Sequence, residues 1–407
     1  MVNKNKKNIL KKIKNLYHKK ITNNRLKYNF KEILLSMLIT FSLGLVVGGI
    51  IMYGRGKYHS STALNEFASI YDEITSSYYK EIDDEELLES GIKGMIGYLG
   101  DPYSSYMDSK TASNFSDDVE GIYEGIGAEI KLVENDVIIG KVFENSPSEK
   151  AGLKENDVLL KVDGNSIKGM SLVKISNIVK GNSGTIVTLS ILRDNKEMDL
   201  EIKRGKVDSI SVTSEIIEKE NKKIGYIYIS LFASNTKKQF EKELKYLEEN
   251  KIDSLIIDVR DNQGGYLTTV NDIISLFIKK GEPIYQLKTK DKVEIIYDKT
   301  NEYRDYPIVM LANSLSASAS EVLIGALKES YGATIVGTNT FGKGKVQKMM
   351  TLSNGAIYKY TYQEWLTPKG NYIDEKGIKP DIEIKYVYSE KGEDNQKNKA
   401  IETILTK

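Results

Sequence analysis

The stretch KIGYIYISLF, residues 223–232, is a run of β-branched and aromatic residues that is typical of a buried strand. Three further runs of this kind follow it: SLIIDVRD (254–261), YPIVMLANS (306–314) and ATIVG (333–337). Segments suited to helices accompany these runs, at 235–250, 265–279 and 319–330. This alternation of strands and helices predicts an α/β layer architecture for the region beyond residue 222.

Upstream, from about residue 118, the pattern changes to short strands separated by turn signals. Three segments stand out there: GIGAEI (125–130), SPSEKAGLKENDVLLKVDG (146–164) and GNSGTIVTLSILR (181–193). In this order they resemble a PDZ domain of the kind inserted in bacterial proteases. The resemblance implies that a peptide's terminal carboxylate binds at the turn formed by Gly125, Ile126, Gly127 and Ala128. Glycine lets backbone N–H groups converge there, and the next strand offers an edge to an incoming chain.

The composition removes several kinds of catalytic site. The chain has no cysteine, and its two histidines are His18 and His59. Beyond residue 59, a Ser-His-Asp triad and a His-Glu-x-x-His metal site are therefore excluded, as is any thiol nucleophile. Any catalysis in the main body has to proceed without imidazole.

The formal net charge of +1 conceals a strong asymmetry. Residues 1–32 hold 11 Lys/Arg and one acid, which leaves 47 basic and 56 acidic residues elsewhere, so the two parts carry +10 and −9. The negative main body argues against a nucleic-acid partner. Between the parts, residues 33–54 form an uncharged stretch, ILLSMLITFSLGLVVGGIIMYG, long enough to cross a bilayer as an uncleaved anchor. The basic flank predicts a cytoplasmic N-terminus and an extracytoplasmic location for residues 55–407.

The segment GTNTFGKGK, residues 337–345, has the G-x-x-x-x-G-K spacing of a phosphate-binding loop. A phosphate loop needs Ser or Thr after the lysine and then a helix, whereas Gly344 follows Lys343 and the next residues read as a hairpin. The alternative is that Lys343 acts as a base, which requires desolvation to lower its pKa. Without histidine or cysteine, a Ser-Lys pair is the main remaining route to a side-chain nucleophile.

The candidate serines lie in ANSLSASASEVLIGALKES, residues 312–330, between a predicted strand and an amphipathic helix. Small residues allow a sharp turn there, and the helix N-terminus adds partial positive charge where an oxyanion would form. Ser316, Ser318 and Ser320 all qualify on these grounds. A serine cluster that only caps the helix is the alternative.

The chain as a whole resembles the carboxyl-terminal processing, or tail-specific, proteases. Ordered motifs carry the resemblance over roughly residues 64–385: GDPYSSYM, the PDZ segments, IGYIYISLF, LIIDVRDNQGG, NSLSASASEVLIGALK, GTNTFGKGKVQ, LTPKGNYI and GIKPDIEI. The resemblance implies that Ser318 is the nucleophile, Lys343 the base and Gln347 the residue that orients the lysine. It also implies that the N–H groups of Ala319 and Gly264 form the oxyanion hole.

The sequence thus predicts a multidomain α/β serine endopeptidase without cofactor or metal, acting on protein or peptide substrates with accessible C-termini. The alternative is a catalytically silent PDZ scaffold that only binds tails. We expect the following regions: a basic cytoplasmic tail (1–32), a transmembrane anchor (33–54), a helical N-terminal region that is a candidate homodimer surface (60–117), the PDZ domain (118–206), the protease core (207–385) and a charged, solvated C-terminal tail (386–407).

Overall fold

The structure is a computed structural model that describes residues 21–23, 26–28, 34–44 and 62–407. The chain divides into two compact units, Met1–Glu89 and Ser90–Lys407.

In the first unit, strands β1 (Ile21–Asn23) and β2 (Leu26–Tyr28) form an antiparallel pair. Helix α1 covers residues 34–44, and α2 covers Thr62–Ser77. Helix α3 (Asp84–Gly97) begins in this unit. Both α2 and α3 lie in the N-terminal region, 60–117, that is expected to be helical.

Half of the predicted membrane span lies outside the described residues. Of residues 33–54, the structure describes 34–44, and these are helical. Among the described residues, no helix is both long enough and apolar enough to cross a membrane.

The second unit opens with a short strand and a helix. Strand β3 (Ser105–Met107) is followed by helix α4 (Ser109–Glu120), which Asp108 caps by accepting a hydrogen bond from the Thr111 N–H. Strand β4 (Ile122–Gly125) then leads into a domain of short strands. The chain leaves that domain through β11 (Gly205–Asp208), which pairs with β4, so the two connections lie side by side.

The inserted domain is a six-stranded antiparallel sheet with two helices. Its strands are β5 (Ala128–Val133), β6 (Asp136–Val142), β7 (Val158–Val162), β8 (Asn165–Ser166), β9 (Ile186–Arg193) and β10 (Lys196–Lys203). They follow the order β10-β9-β7-β6-β5, with β8 beside β7, so β5 lies at an edge. The two helices are α5 (Pro147–Lys150) and α6 (Leu172–Val179).

A second six-stranded sheet forms the centre of the protease core. Its strands are β12 (Val212–Lys219), β13 (Lys222–Ile229), β14 (Ser254–Asp258), β17 (Ile308–Ala312), β18 (Thr334–Gly337) and β21 (Ile382–Glu383), in that spatial order. Apart from the antiparallel β12–β13 pair, neighbouring strands are parallel. The four buried strands predicted from the sequence are therefore confirmed as adjacent members of one sheet.

Helices cover both faces of this sheet. On one face lie α7 (Thr236–Glu249), α8 (Leu267–Ile274) and α9 (Ala319–Ala326), the last continued by a π-helical turn at Leu327–Tyr331. A smaller sheet, β16-β15-β20-β19, borders the core: β15 (Pro283–Lys288), β16 (Val293–Tyr297), β19 (Lys345–Thr351) and β20 (Ile357–Leu366), with β3 beside β20. Strands β19 and β20 form the hairpin predicted after Lys343.

The opposite face is covered by helix α10 (Asn395–Leu405), and the prediction of a solvated C-terminal tail is wrong for these residues. Ala400, Ile401 and Ile404 are buried against strands of the central sheet. The Arg260 guanidinium also binds the Asp394 carboxylate at 2.7 Å, which fixes the start of the helix. The charge density of this segment concealed a narrow apolar stripe at helical spacing.

Truncating Ile404 tests whether α10 contributes to stability. This side chain is 1% exposed, so Ile404→Ala should lower the free energy of unfolding by about 2–4 kcal/mol through lost burial and a residual cavity. Urea denaturation measures the change, with Glu402→Ala on the exposed face of the helix as control. A change within about 0.5 kcal/mol, as for an ordinary surface site, would contradict the packing of this helix.

Candidate active site

Ser318 occupies the turn between strand β17 and helix α9. Its backbone has φ 55° and ψ −113°, a conformation that costs energy for a residue with a side chain. Helix α9 begins at the next residue, and every residue of the helix is buried. The turn therefore presents the half-buried Ser318 at a helix N-terminus, where partial positive charge favours a developing anion.

The hydroxyls of the two neighbouring serines, Ser316 and Ser320, are engaged in hydrogen bonds inside the protein. Ser316 and Ser320 are both 0% exposed. The Ser316 hydroxyl donates to the Val259 carbonyl at 2.8 Å, and the Ser320 hydroxyl donates to the Asn262 carbonyl at 2.8 Å. These bonds tie the serine turn to the loop after β14. Of the three candidates, Ser318 is the one whose surroundings suit a nucleophile.

The predicted oxyanion-hole residues both lie beside Ser318. None of the hydrogen bonds formed among the described residues uses the Ala319 N–H. Gly264 has φ 112°, and a Cβ there would lie 3.0 Å from the Ser318 Cβ and 2.9 Å from the Ala317 carbonyl oxygen. Only glycine fits so close to the nucleophile. The Gly264 N–H, however, donates to the Asn262 Oδ1 at 2.8 Å, so it is engaged within its own loop in this arrangement.

Lys343 precedes β19 and is half-buried. Burial lowers the pKa of its amine, and the nearby Lys359 ammonium lowers it further, while Glu321 and Asp101 oppose the shift. The amine lies 4.9 Å from the centre of the Tyr103 ring. Phe341, two residues before the lysine, is 51% exposed and does not cover it. The lowered pKa is the property that a lysine base requires.

Tyr103 reaches the lysine because its segment is anchored to the β19–β20 hairpin. Strand β3 pairs with β20, and the Thr361 N–H donates to the Ser104 hydroxyl at 3.1 Å. The Asp101 carboxylate accepts hydrogen bonds from the Tyr103 N–H and the Ser104 hydroxyl. No pattern in the sequence links residue 103 to residue 343, so this contact is found only in three dimensions.

Gln347 lies in β19, directly after a β-bulge at Val346. Its side-chain amide donates to the Thr361 hydroxyl oxygen at 3.2 Å. No hydrogen bond joins Gln347 to Lys343 among the described residues, although one was expected from the family resemblance. Ser318 thus lies in the turn before α9, Lys343 lies just before the β19–β20 hairpin, and Gln347 lies in its first strand, without that bond.

Glu321 is a site residue for which sequence reasoning assigned no role. It is the third residue of α9 and is 0% exposed, and its carboxylate accepts hydrogen bonds from the Ser318 N–H (2.9 Å) and the Lys343 N–H (2.8 Å). The Ser-x-x-Glu spacing of a helix-capping box was the available signal. It indicated the bond to Ser318 but not the one to Lys343.

The turn predicted to bind a peptide carboxylate borders a groove of about 740 Å³ in the inserted domain. Residues of edge strand β5 and helix α6 line it, together with Ile126 and Gly127 of the turn and Ala128 at the start of β5. Gly127 has φ 79°, and a Cβ there would lie 2.4 Å from the Ser146 Cβ, so this position requires glycine. Gly125 ends strand β4 immediately before the groove. An extended peptide could pair with the free edge of β5.

No metal site is evident in the region that the structure describes: no group of three or more His, Cys, Asp or Glu side chains is placed to hold an ion there.

The fold and site together define a PDZ-containing α/β hydrolytic protein, and comparison with known proteins agrees. The chain matches "Peptidase family S41" over residues 223–384, "PDZ domain" over 125–203 and "Activating protease CtpB N-terminal domain" over 50–111. It is 39% identical over 326 residues to the carboxy-terminal processing protease CtpB of Bacillus subtilis, covering 79% of this chain and 68% of that protein. It is 35% identical over 365 residues to a probable CtpA-like serine protease of Staphylococcus aureus, covering 88% and 73%. Among solved structures, the photosystem II D1 C-terminal processing protease matches with 25% identity and a TM-score of 0.47, covering 80% of this chain and 94% of that one.

The chain belongs to peptidase family S41, among the carboxy-terminal processing serine proteases.

Proposed function

We propose that this protein is a membrane-anchored, extracytoplasmic serine endopeptidase. Its PDZ domain binds the C-terminal residues of protein substrates, and Ser318 and Lys343 hydrolyse a bond in the captured chain. The observation that carries the proposal is the strained turn that presents Ser318 at the N-terminus of a buried helix. The lowered pKa of Lys343, whose backbone shares the Glu321 carboxylate with that turn, adds to it.

The chemistry proceeds in two halves. Neutral Lys343 takes the hydroxyl proton of Ser318, and the Ser318 oxygen attacks the substrate carbonyl carbon. The Ala319 N–H stabilises the resulting oxyanion, joined by the Gly264 N–H once Asn262 releases it. The lysine ammonium protonates the leaving amine, which gives an acyl-enzyme. Water then hydrolyses this ester with Lys343 again as the base. Gln347 orients the lysine amine once its side-chain amide turns from the Thr361 hydroxyl to Lys343.

Substrate capture follows from the groove beside β5. Its lining includes the apolar side chains of Ile139, Leu159 and Leu189, which suit an apolar C-terminal residue. Backbone pairing with β5 accepts most sequences, while the apolar lining of the groove selects the last side chain. The substrates are therefore proteins or peptides that end in an accessible, apolar C-terminus.

A cleavage assay tests this function directly. The full-length protein should cleave an unstructured polypeptide that ends in an apolar residue. It should cleave more slowly when the terminal carboxylate is amidated, because the turn at Gly125 to Ala128 then has no anion to bind. Binding without cleavage would instead indicate a PDZ scaffold.

Membrane topology is a separate prediction. The basic residues 1–32 and the uncharged residues 33–54 support a cytoplasmic N-terminus, with residues 55–407 outside. A protease added to intact protoplasts should digest the main body and spare the N-terminal tail. Protection of the main body until the membrane is lysed would overturn this localisation.

We also propose that residues 60–117 form a homodimer contact. Helices α2 and α3 carry exposed apolar side chains, including Phe67 (44%), Ile70 (56%) and Leu88 (48%). Such side chains, rimmed by polar residues, are typical of protein–protein contacts. Light scattering should give twice the monomer mass, and Ile70→Asp should lower it. A monomeric wild-type protein at micromolar concentration would contradict the proposal.

A further inference from the structure

The Glu321 carboxylate collects four hydrogen bonds at the centre of the site. Its Oε1 accepts from the Thr340 hydroxyl (2.6 Å) and the Gly342 N–H (2.7 Å). Its Oε2 accepts from the Ser318 N–H (2.9 Å) and the Lys343 N–H (2.8 Å). One fully buried side chain therefore joins the turn that carries the nucleophile to the loop that carries the base.

The donor set identifies the ionised form of Glu321. All three backbone partners are N–H donors. The Thr340 hydroxyl oxygen accepts a hydrogen bond from the Ile378 N–H, so its own proton points to Glu321. Burial raises the pKa of Glu321, and the four hydrogen bonds oppose this rise. Within the described residues no Lys or Arg side chain forms an ion pair with Glu321. Its charge is stabilised by backbone dipoles and a hydroxyl group instead.

We propose that Glu321 is a positioning residue of the peptidase: it holds Ser318 and Lys343 at their working separation and places a fixed negative charge near the lysine amine. This inference rests on the proposed roles of Ser318 and Lys343. Without the carboxylate, the φ 55° turn would lose the bond to its N–H, and the lysine loop would lose three of its anchors. Misplacement by about 1 Å is enough to cost on the order of 10²-fold in rate.

The charge has an effect that is separable from the geometry. Four groups face the Lys343 amine: the Lys359 ammonium on β20, the Tyr103 ring and Asp101 carboxylate before β3, and Glu321 on α9. Glu321 and Asp101 raise the pKa of Lys343, whereas burial and Lys359 lower it. Removing the charge of Glu321 should therefore lower the pKa of Lys343. The neutral, active amine would then persist to lower pH.

Two variants of the full-length protein separate the effects. Glu321→Gln removes the charge and places an amide N–H₂ against hydrogen-bond donors. We expect a fall in kcat of about 10²-fold with little change in KM, and a shift of the acidic limb of the kcat/KM profile to lower pH. Glu321→Asp keeps the charge but shortens the side chain. It should lower kcat, but the acidic limb of its kcat/KM profile should not shift to lower pH.

Thermal melts and binding of an apolar-tailed peptide to the PDZ groove establish that each variant is folded. If Glu321→Gln does not fold, the loss of kcat in Glu321→Asp carries the test. A wild-type kcat in either folded variant would overturn the positioning role. An equal loss at every pH in Glu321→Gln, with an unmoved limb, would overturn the electrostatic role. Neither outcome bears on whether Ser318 is the nucleophile, which Ser318→Ala tests independently.

Discussion

Ser318→Ala is expected to abolish peptide-bond hydrolysis, with a loss on the order of 10⁴-fold or more, while folding and tail binding remain intact. The hydroxyl of Ser318 is the atom that forms the acyl-enzyme, and the other groups of the site have no bond-making role that replaces it. The strained φ belongs to the turn and not to the hydroxyl, so alanine retains the backbone geometry. Cleavage of an apolar-tailed polypeptide measures turnover, and titration with the same tail as a short peptide measures binding.

Ser316→Ala and Ser320→Ala are the matched controls. Each removes a serine hydroxyl within two residues of the nucleophile, but these hydroxyls donate to the carbonyls of Val259 and Asn262. Both variants should retain measurable activity. A Ser318→Ala protein that cleaves near the wild-type rate, or an inactive but folded Ser316→Ala protein, would show that the nucleophile is misassigned.

Lys343→Arg is expected to be as inactive as Lys343→Ala. A guanidinium stays protonated at any working pH, so arginine keeps the charge and loses the base. In the wild type, kcat/KM should rise with pH through one apparent pKa below that of a free lysine, about 10.4, because burial favours the neutral amine. The value of kcat/KM rises with pH because the deprotonated lysine is the active form. ATP and chelators should have no effect.

The Lys343→Arg variant would behave differently if the lysine bound a phosphate. A lysine that binds a phosphate contributes mainly charge, so arginine would preserve much of that function. Substantial activity in Lys343→Arg, or a requirement for magnesium and nucleotide, would refute the Ser-Lys mechanism.

Local patterns in the sequence were sufficient to predict the layered core. The runs at 223–232, 254–261, 306–314 and 333–337 lie in neighbouring strands because near-continuous apolar stretches are what a sheet covered on both faces requires. The turn at Ser318 could also be predicted from a local pattern, since small residues between a buried strand and a helix leave room for a substrate backbone.

Features that depend on contacts between residues distant in the chain could not be predicted from the sequence. The Tyr103 ring lies beside the Lys343 amine only because β3 pairs with β20. The Asn262 side chain accepts the Gly264 N–H, a bond that competes with the predicted oxyanion role and that no spacing rule reveals. Helix α10 was hidden because its polar face dominates the composition, while three apolar residues suffice to dock it.

Covalent labelling of the full-length protein with a peptidyl fluorophosphonate, followed by peptide mass spectrometry, identifies the nucleophile and its base together. The Ser318 oxygen would displace fluoride from phosphorus, with Lys343 taking the hydroxyl proton. We predict a single phosphonyl adduct on the peptide that contains Ser318, formed in the wild type and absent in both Ser318→Ala and Lys343→Arg. An adduct on another residue, or undiminished labelling of Ser318 in Lys343→Arg, would contradict the Ser-Lys mechanism.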